Sequence, residues 1–229
     1  MTTTIRTRFA PSPTGALHLG NARTAALNWL YARKYGGTFV LRLEDTDIER
    51  NLQGDGSRPS GEELIIEALD WLGLHPDEAP STGGPFGPYR QSERAIHYAN
   101  QAEQLLTSGH AFRCYCSPEE LDAHRKAAIA AGEPPGRDTK CRDRSLEEKS
   151  LTQAKGQPAS IRLRVDSGPV HFEDHLKGGL SIDGDDLGDM ILVRSDGRAT
   201  YNFAATVDDY EMKISHVIRG IGHLSNTPK

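Results

Sequence analysis

The residues of this chain with chemistry to offer fall into three groups. His18 and Asn21 bracket Leu19-Gly20 just after Pro11-Ser12-Pro13-Thr14-Gly15, a stretch that cannot continue as a helix. The chain turns into a helix near His18, so backbone N–H groups and the positive end of the helix dipole point at one place, which suits a phosphate. Gly15 and Gly20 would let a ligand approach the backbone closely. The second group is charged. Glu44-Asp45-Thr46-Asp47 sets three acids in four residues at a strand end. Ligands of open α/β sheets bind outside the carboxyl ends of the strands, so Glu44 is a candidate contact, and a solvated turn is the plainer alternative. Arg8 and Arg219 each stand at the end of a candidate strand, where a guanidinium fork suits a carboxylate; either alone could equally be a surface ion pair. The third group is Cys114-Tyr115-Cys116 with Cys141-Arg142-Asp143. Zinc accepts thiolate and carboxylate, so the three cysteines plus Asp143 could close a tetrahedron; three unligated thiols are the alternative.

These groups need elements to hold them. Residues 5–10 read as a short strand. The helix from His18 carries Ala22, Ala25, Ala26, Trp29 and Leu30 on one face, and Gly36-Gly37 stops it before a β-rich run, residues 38–43. Residues 51–61 form a polar, breaker-rich loop, and a second helix over 61–72 presents Leu64, Ile65, Ala68, Leu69 and Leu72, with Gly73 as its stop. A helix is expected over 93–106, and Ser117-Pro118-Glu119-Glu120 has the cap, proline and glutamate of a helix start. Ile161, Leu163 and Val165 alternate with Arg162 and Arg164, and after a turn come Val170 and Phe172; this reads as a hairpin with an arginine-bearing face. Asp196-Gly197 marks a turn, residues 201–209 a helix with Phe203, Ala204 and Val207 inward, and residues 216–219 a buried strand ended by Gly220.

Bulk properties exclude several classes. The chain has 229 residues, enough for one domain with a large insertion or for two. Hydrophobic content of 36% and mean hydropathy of −0.57 suit a soluble protein. No apolar run nears the roughly 20 residues that span a bilayer. Residues 1–5 lack the basic and apolar blocks of a secretory signal, and an odd count of 3 cysteines argues for a reducing cytoplasm over a disulfide framework. A net charge of −5 argues against indiscriminate nucleic-acid binding.

Taken together, RFAPSPTG, LHLGN and LRLEDTD, with PYRQSER, CYC, YNFA, HVIRG and HLSNTPK downstream, resemble the N-terminal half of a glutamyl-tRNA synthetase, a class I enzyme. His18-Leu19-Gly20-Asn21 stands where that class carries its HIGH signature. The resemblance implies an α/β fold: a Rossmann-like parallel sheet split by an inserted α+β domain that grips the tRNA acceptor end. The expected division is 1–97, 98–194 and 195–229, truncated before the KMSKS motif. It implies ATP with Mg2+ as co-substrate, L-glutamate and tRNA as partners, a monomer, and formation of glutamyl adenylate. His18 and Asn21 would contact the phosphates, Arg8 and Arg219 the glutamate side-chain carboxylate, Glu44 its ammonium group, and Ser12 and Tyr201 would complete the pocket. Some relatives carry zinc on a similar cysteine outline, with His where this chain has Asp143.

Two features depart from the pattern. After the HVIR run the family has Gly-Glu-Asp-His, whose acids hold the ATP ribose; this chain has Gly220-Ile221-Gly222-His223. Lys213-Ile214-Ser215-His216 resembles KMSKS but precedes the HVIRG run, so it reads as a strand entrance. The chain alone is therefore expected to activate glutamate poorly. A paralogue that binds glutamate or tRNA without catalysis, or an enzyme that glutamylates a modified base such as queuosine, are the other readings.

Overall fold

The computed structural model describes residues 4–46, 60–132, 139–143, 156 and 158–229. Asp47 and most of the 51–61 loop lie outside them. The chain divides into two compact units, one of residues 1–95 and 204–222, the other of residues 96–203 and 223–229.

The first unit is built on β1 (Arg6–Phe9), α1 (Leu19–Lys34) and β2 (Thr38–Leu41), with the two strands parallel and Arg8 opposite Val40. Side chains alternate across β1. Thr7 and Phe9 face α1, where the Thr7 hydroxyl donates to the Asn28 carbonyl at 2.9 Å. Ala25 and Ala32 are fully buried, so the helix lies close on a core of Phe9, Phe39, Leu41 and Leu43. Ile65 and Leu69 of α2 (Gly61–Trp71) complete that core. Leu30, expected inward, is 55% exposed, because the buried stripe follows Ala25, Asn28 and Ala32. Gly37 has no alternative: a Cβ there would sit 2.4 Å from the Ile5 carbonyl oxygen. On the opposite face of β1, Arg6 forks onto Glu78 at 2.7 and 2.8 Å, and Tyr89 donates to the same carboxylate. Single bridges from Val40 to Glu78 and from Leu43 to Arg90 extend the parallel pairing.

Residues 216–219 do not form the expected strand. The N–H groups of Ser215 and His216 both donate to one carbonyl, that of Arg6, at 3.0 and 3.2 Å, and Arg6 N–H donates to the Ser215 hydroxyl. Two successive donors on one acceptor break the period of 2 that a ladder needs, and Val217 is 49% exposed. The segment runs beside β1 all the same. The Asn28 amide pins it by donating to the Ile218 carbonyl at 3.0 Å.

In the second unit, α3 (Ala95–Thr107) leads to β3 (Ala111–Cys114), and a capping box at Ser117 and Glu120 starts α4 (Pro118–Ala131) as expected. The one-turn helix α5 (Thr139–Arg142) precedes β4 (Ser160–Leu163). The strands β5 (Pro169–Asp174) and β6 (Gly178–Asp183) follow, then α6 (Gly184–Leu187), β7 (Ile191–Val193) and α7 (Tyr201–Glu211), whose last eight residues belong to the first unit. The hairpin expected between the 160s and 170s does not exist. β4 is the central strand of an antiparallel sheet ordered β3-β4-β7, and β5 pairs with β6. The physical cause lies at the exit from β4: the buried Asp189 carboxylate takes the Val165 N–H, and the chain then leaves the sheet. β5 closes instead on its near neighbour through Asp174, whose Oδ1 accepts the Leu176 and Lys177 N–H groups at 2.8 Å. The turn at Asp196-Gly197 is present, closed by Gly197 N–H on the Arg194 carbonyl.

Candidate active site and thiol cluster

His18 is the N-cap of α1. Its Nδ1 accepts the Gly20 N–H at 3.1 Å and, more weakly, the Asn21 N–H at 3.4 Å. With Nδ1 as acceptor, the bonding pattern assigns the ring proton to Nε2, which becomes a donor on an exposed ring. Gly20 makes this fold-back fit: a Cβ there would lie 3.0 Å from the imidazole Cε1. The first turn of α1 contains no acid and its last turn carries Arg33 and Lys34, so charge favours the helix and leaves the N-terminus attractive to anions. Gly15 holds φ of +150°, where other residues are strained. The preceding loop is seated on α2, because Gly61 approaches the Pro13 carbonyl so closely that a Cβ would sit 2.0 Å from its oxygen. Ser12 is exposed, its carbonyl accepting the Thr14 N–H, and Asn21 is half-buried.

Glu44 and Arg8, at the ends of neighbouring strands, are joined by groups that the sequence reading did not single out. Arg42, fully buried, donates through Nη1 to Asp209 at 2.6 Å and through Nη2 to Glu44 Oε1 at 3.2 Å. Arg8 donates to the same Asp209, from Nε at 3.0 Å and Nη2 at 3.2 Å. Behind Arg42, Asp208 lies 3.6 Å from its Nε and accepts hydrogen bonds from Gln91 and Arg94. Burial disfavours charge on Arg42, but Asp209, Glu44 and Asp208 more than offset it and raise its pKa. Burial also pushes the Glu44 carboxyl above its ordinary 4.5, against the pull of Arg42 and Arg8. For Asp209 burial acts in the same sense, yet Arg42 and Arg8 prevail and hold it below 3.8. Two polar ends hydrogen-bond to no described residue: Glu44 Oε2 and Arg8 Nη1. One belongs to a carboxylate and the other to a guanidinium, so the pair could meet a ligand that carries both a cationic and an anionic group.

Arg219 is half-buried in the same unit, directly after the Ile218 carbonyl that Asn28 pins. Tyr201 opens α7 in the second unit and is 40% exposed. Sequence did hold one signal for Arg42, a lone charge inside the apolar run Thr38–Leu43; nothing local marked Asp209 as its partner.

The second unit gathers Cys114, Cys116 and Cys141, whose sulfurs all lie within 4.8 Å of one another, with Cys116 and Cys141 3.6 Å apart. None is in a disulfide. Tetrahedral zinc, with Zn–S near 2.3 Å, sets sulfurs about 3.8 Å apart, so this donor set fits the metal with little adjustment. Arg142 anchors Cys141 through the buried Asp189, and its carbonyl accepts from Arg164 at 2.7 Å. Asp143, expected as the fourth ligand, is outside the cluster. Its carboxylate is 68% exposed and 3.9 Å from Arg164.

Comparison with known proteins gives a consistent picture. Residues 4–229 match the family model for tRNA synthetases class I (E and Q), catalytic domain. A glutamate–tRNA ligase of Symbiobacterium thermophilum is 50% identical over 226 residues, which are 98% of this chain and 46% of that protein. The glutamate–tRNA ligase of Bacillus subtilis has the same identity and coverage. Among solved structures, the glutamate-tRNA synthetase of Elizabethkingia anophelis superposes with a TM-score of 0.86 at 41% identity, covering 98% of this chain and 46% of that one. A glutamate tRNA ligase of Elizabethkingia meningosepticum, in complex with its amino acid, gives 0.87 at 41% identity, over 98% and 45% of the two chains. The chain thus spans under half the length of these relatives.

Proposed function

Because the chain belongs to the catalytic-domain family of the class I tRNA synthetases for glutamate and glutamine, we propose that it carries the glutamate- and ATP-binding part of a glutamate–tRNA ligase. The observation that supports this most is the pair of opposite charges at the ends of β1 and β2, Glu44 held by the buried Arg42 and Arg8 held by Asp209, which Arg42 also engages, in the unit that carries the capped N-terminus of α1. Glu44 Oε2 takes the substrate ammonium group, and Arg8 with Arg219 takes the side-chain carboxylate. The substrate α-carboxylate oxygen then attacks the α-phosphorus of ATP, the bond from that phosphorus to the bridging oxygen breaks, and pyrophosphate leaves. His18 Nε2–H, the Asn21 amide and the α1 N-terminus meet the charge that develops on the phosphates, with Mg2+ accompanying ATP. Transfer to the terminal ribose of tRNA, with AMP leaving, belongs to the same reading, with the second unit receiving the acceptor end.

Zinc at Cys114, Cys116 and Cys141 is part of the proposal. Bound there, it would tie the end of β3 to α5 as a structural crosslink.

Calorimetry with glutamate and glutamine tests the pocket. Glutamate should bind the tighter, because a neutral amide leaves guanidinium charge unmatched; equal or better glutamine binding refutes it. Pyrophosphate exchange, run with and without tRNA, tests the chemistry. A second reading, binding without catalysis, draws on Ile221 and Gly222, which offer no acid for the ATP ribose; absence of exchange alongside firm glutamate binding would favour it.

A further inference from the structure

We infer that Asp209, itself held by Arg42, is a positioning residue that fixes how Arg8 meets a ligand and thereby sets the preference for a carboxylate over an amide; this rests on the glutamate-binding reading above. Asp209 takes the Nε edge of Arg8, 3.0 Å to Oδ1 and 3.2 Å to Oδ2, so the plane of the group is fixed and that fork is spent before any ligand arrives. Arg8 therefore meets a ligand end-on, through Nη1. Asp209 cannot turn to follow it, because Oδ1 also accepts from Arg42 Nη1 at 2.6 Å, and Arg42 is fixed in turn by Glu44.

The same contacts fix the acceptors. An amide ligand differs from a carboxylate in having two N–H donors that need an acceptor. Asp209 would be the natural one. Three N–H donors from two arginines already engage its oxygens. The Nη1 end of Arg8 is all donor, and with three of the roughly four acceptor sites of Asp209 taken, a carboxylate is matched there better than an amide. Arg42 is fully buried and the side chains of Arg8 and Asp209 are 8% and 21% exposed, so water competes weakly for these bonds.

The test is competition calorimetry of the chain with glutamate, glutamine and ATP, comparing wild type with Asp209→Asn and Asp209→Glu. Asparagine keeps the shape but turns an NH2 group toward a guanidinium, so Arg8 is displaced. Preference for glutamate over glutamine should fall at least tenfold, through weaker glutamate binding, while ATP affinity stays within threefold. Asp209→Glu restores the charge and should recover most of the preference. Arg42→Lys also loosens Glu44 and so should weaken both amino acids, but glutamate at least tenfold more than glutamine, since an ammonium cannot bridge Glu44 and Asp209 as a fork does; that difference decides the matter if Asp209→Asn does not fold. Retained preference in these variants, or a parallel loss of all three ligands, overturns the inference and leaves the proposed function standing. A wild-type chain with no preference for glutamate overturns both.

Discussion

On the proposed function His18 has two roles that substitution can separate. Its Nδ1 caps α1, and its exposed Nε2–H would be the donor to phosphate. The cap is an exposed bond with one good contact at 3.1 Å and one weak contact at 3.4 Å, so its loss should cost about 0.5–1 kcal/mol, the lower part of the range for caps. The donor acts only when charge develops on the phosphate, and losing such a preorganised contact costs about 3–4 kcal/mol in the barrier, roughly a hundred- to a thousandfold in rate. His18→Asn should keep the first and lose the second, because asparagine is among the best N-caps but is too short to place a donor where Nε2 stands. His18→Ala should lose both. Denaturant unfolding of the two variants reads the cap, and glutamate-dependent pyrophosphate exchange in the presence of tRNA reads the donor. Asparagine at wild-type stability with a rate at least a hundredfold down is the expected result. An asparagine variant within threefold of the wild-type rate would refute the assignment of Nε2 to phosphate. An alanine variant as stable as wild type would refute the cap.

If Glu44 takes the ammonium group as proposed, glutamate affinity should fall as pH drops through its folded-state pKa, which burial lifts above 4.5, because protonation removes that charge. Titration at successive pH values checks this; affinity unchanged down to pH 4.5 would count against it. Stability responds with opposite signs at the two acids. The folded state binds the Glu44 proton more tightly than the unfolded chain does, so that group favours folding as pH falls; Asp209, held below 3.8, gives stability that is present above 3.8 and lost as pH falls through its lower folded value. Purified protein should carry about one equivalent of zinc, and Cys141→Ser should lose it, as metal analysis would show; well-folded wild type without metal would rule the site out. Gly222→Asp should tighten ATP binding by about 1.5–3 kcal/mol, the worth of a charged hydrogen bond to the ribose. A Cβ at Gly222 meets nothing within 4 Å, so the variant should fold; unchanged ATP affinity in nucleotide titrations would show that the ribose contact lies elsewhere.

The strand–loop–helix–strand frame was legible because its signals are local. Proline and glycine bar a helix before His18, Gly36-Gly37 ends α1, and small residues at helical spacing mark the face that packs. His18, Glu44 and the three cysteines could be picked out for the same reason, each sitting at an element end or in a short spacing. Local pattern failed where pairing was decided from far away. Residues 216–219 have the apolar and β-branched look of a strand, but hydrogen bonding at a single carbonyl of β1 decides their conformation. The Ile161–Val165 alternation correctly marks a strand and says nothing about which neighbour it takes. Asp143 stands at a fitting distance in sequence from Cys141, yet the turn after α5 carries it toward Arg164. The site itself shows the division best. Sequence determined that a guanidinium at Arg8 and a carboxylate at Glu44 end adjacent strands. Only the tertiary structure decided that Arg42 would be the buried charge between them and that Asp209, 201 residues from Arg8, would hold its fork. A buried charge must be matched by whatever opposite charge the fold brings to it, and no periodicity along the chain encodes that partner.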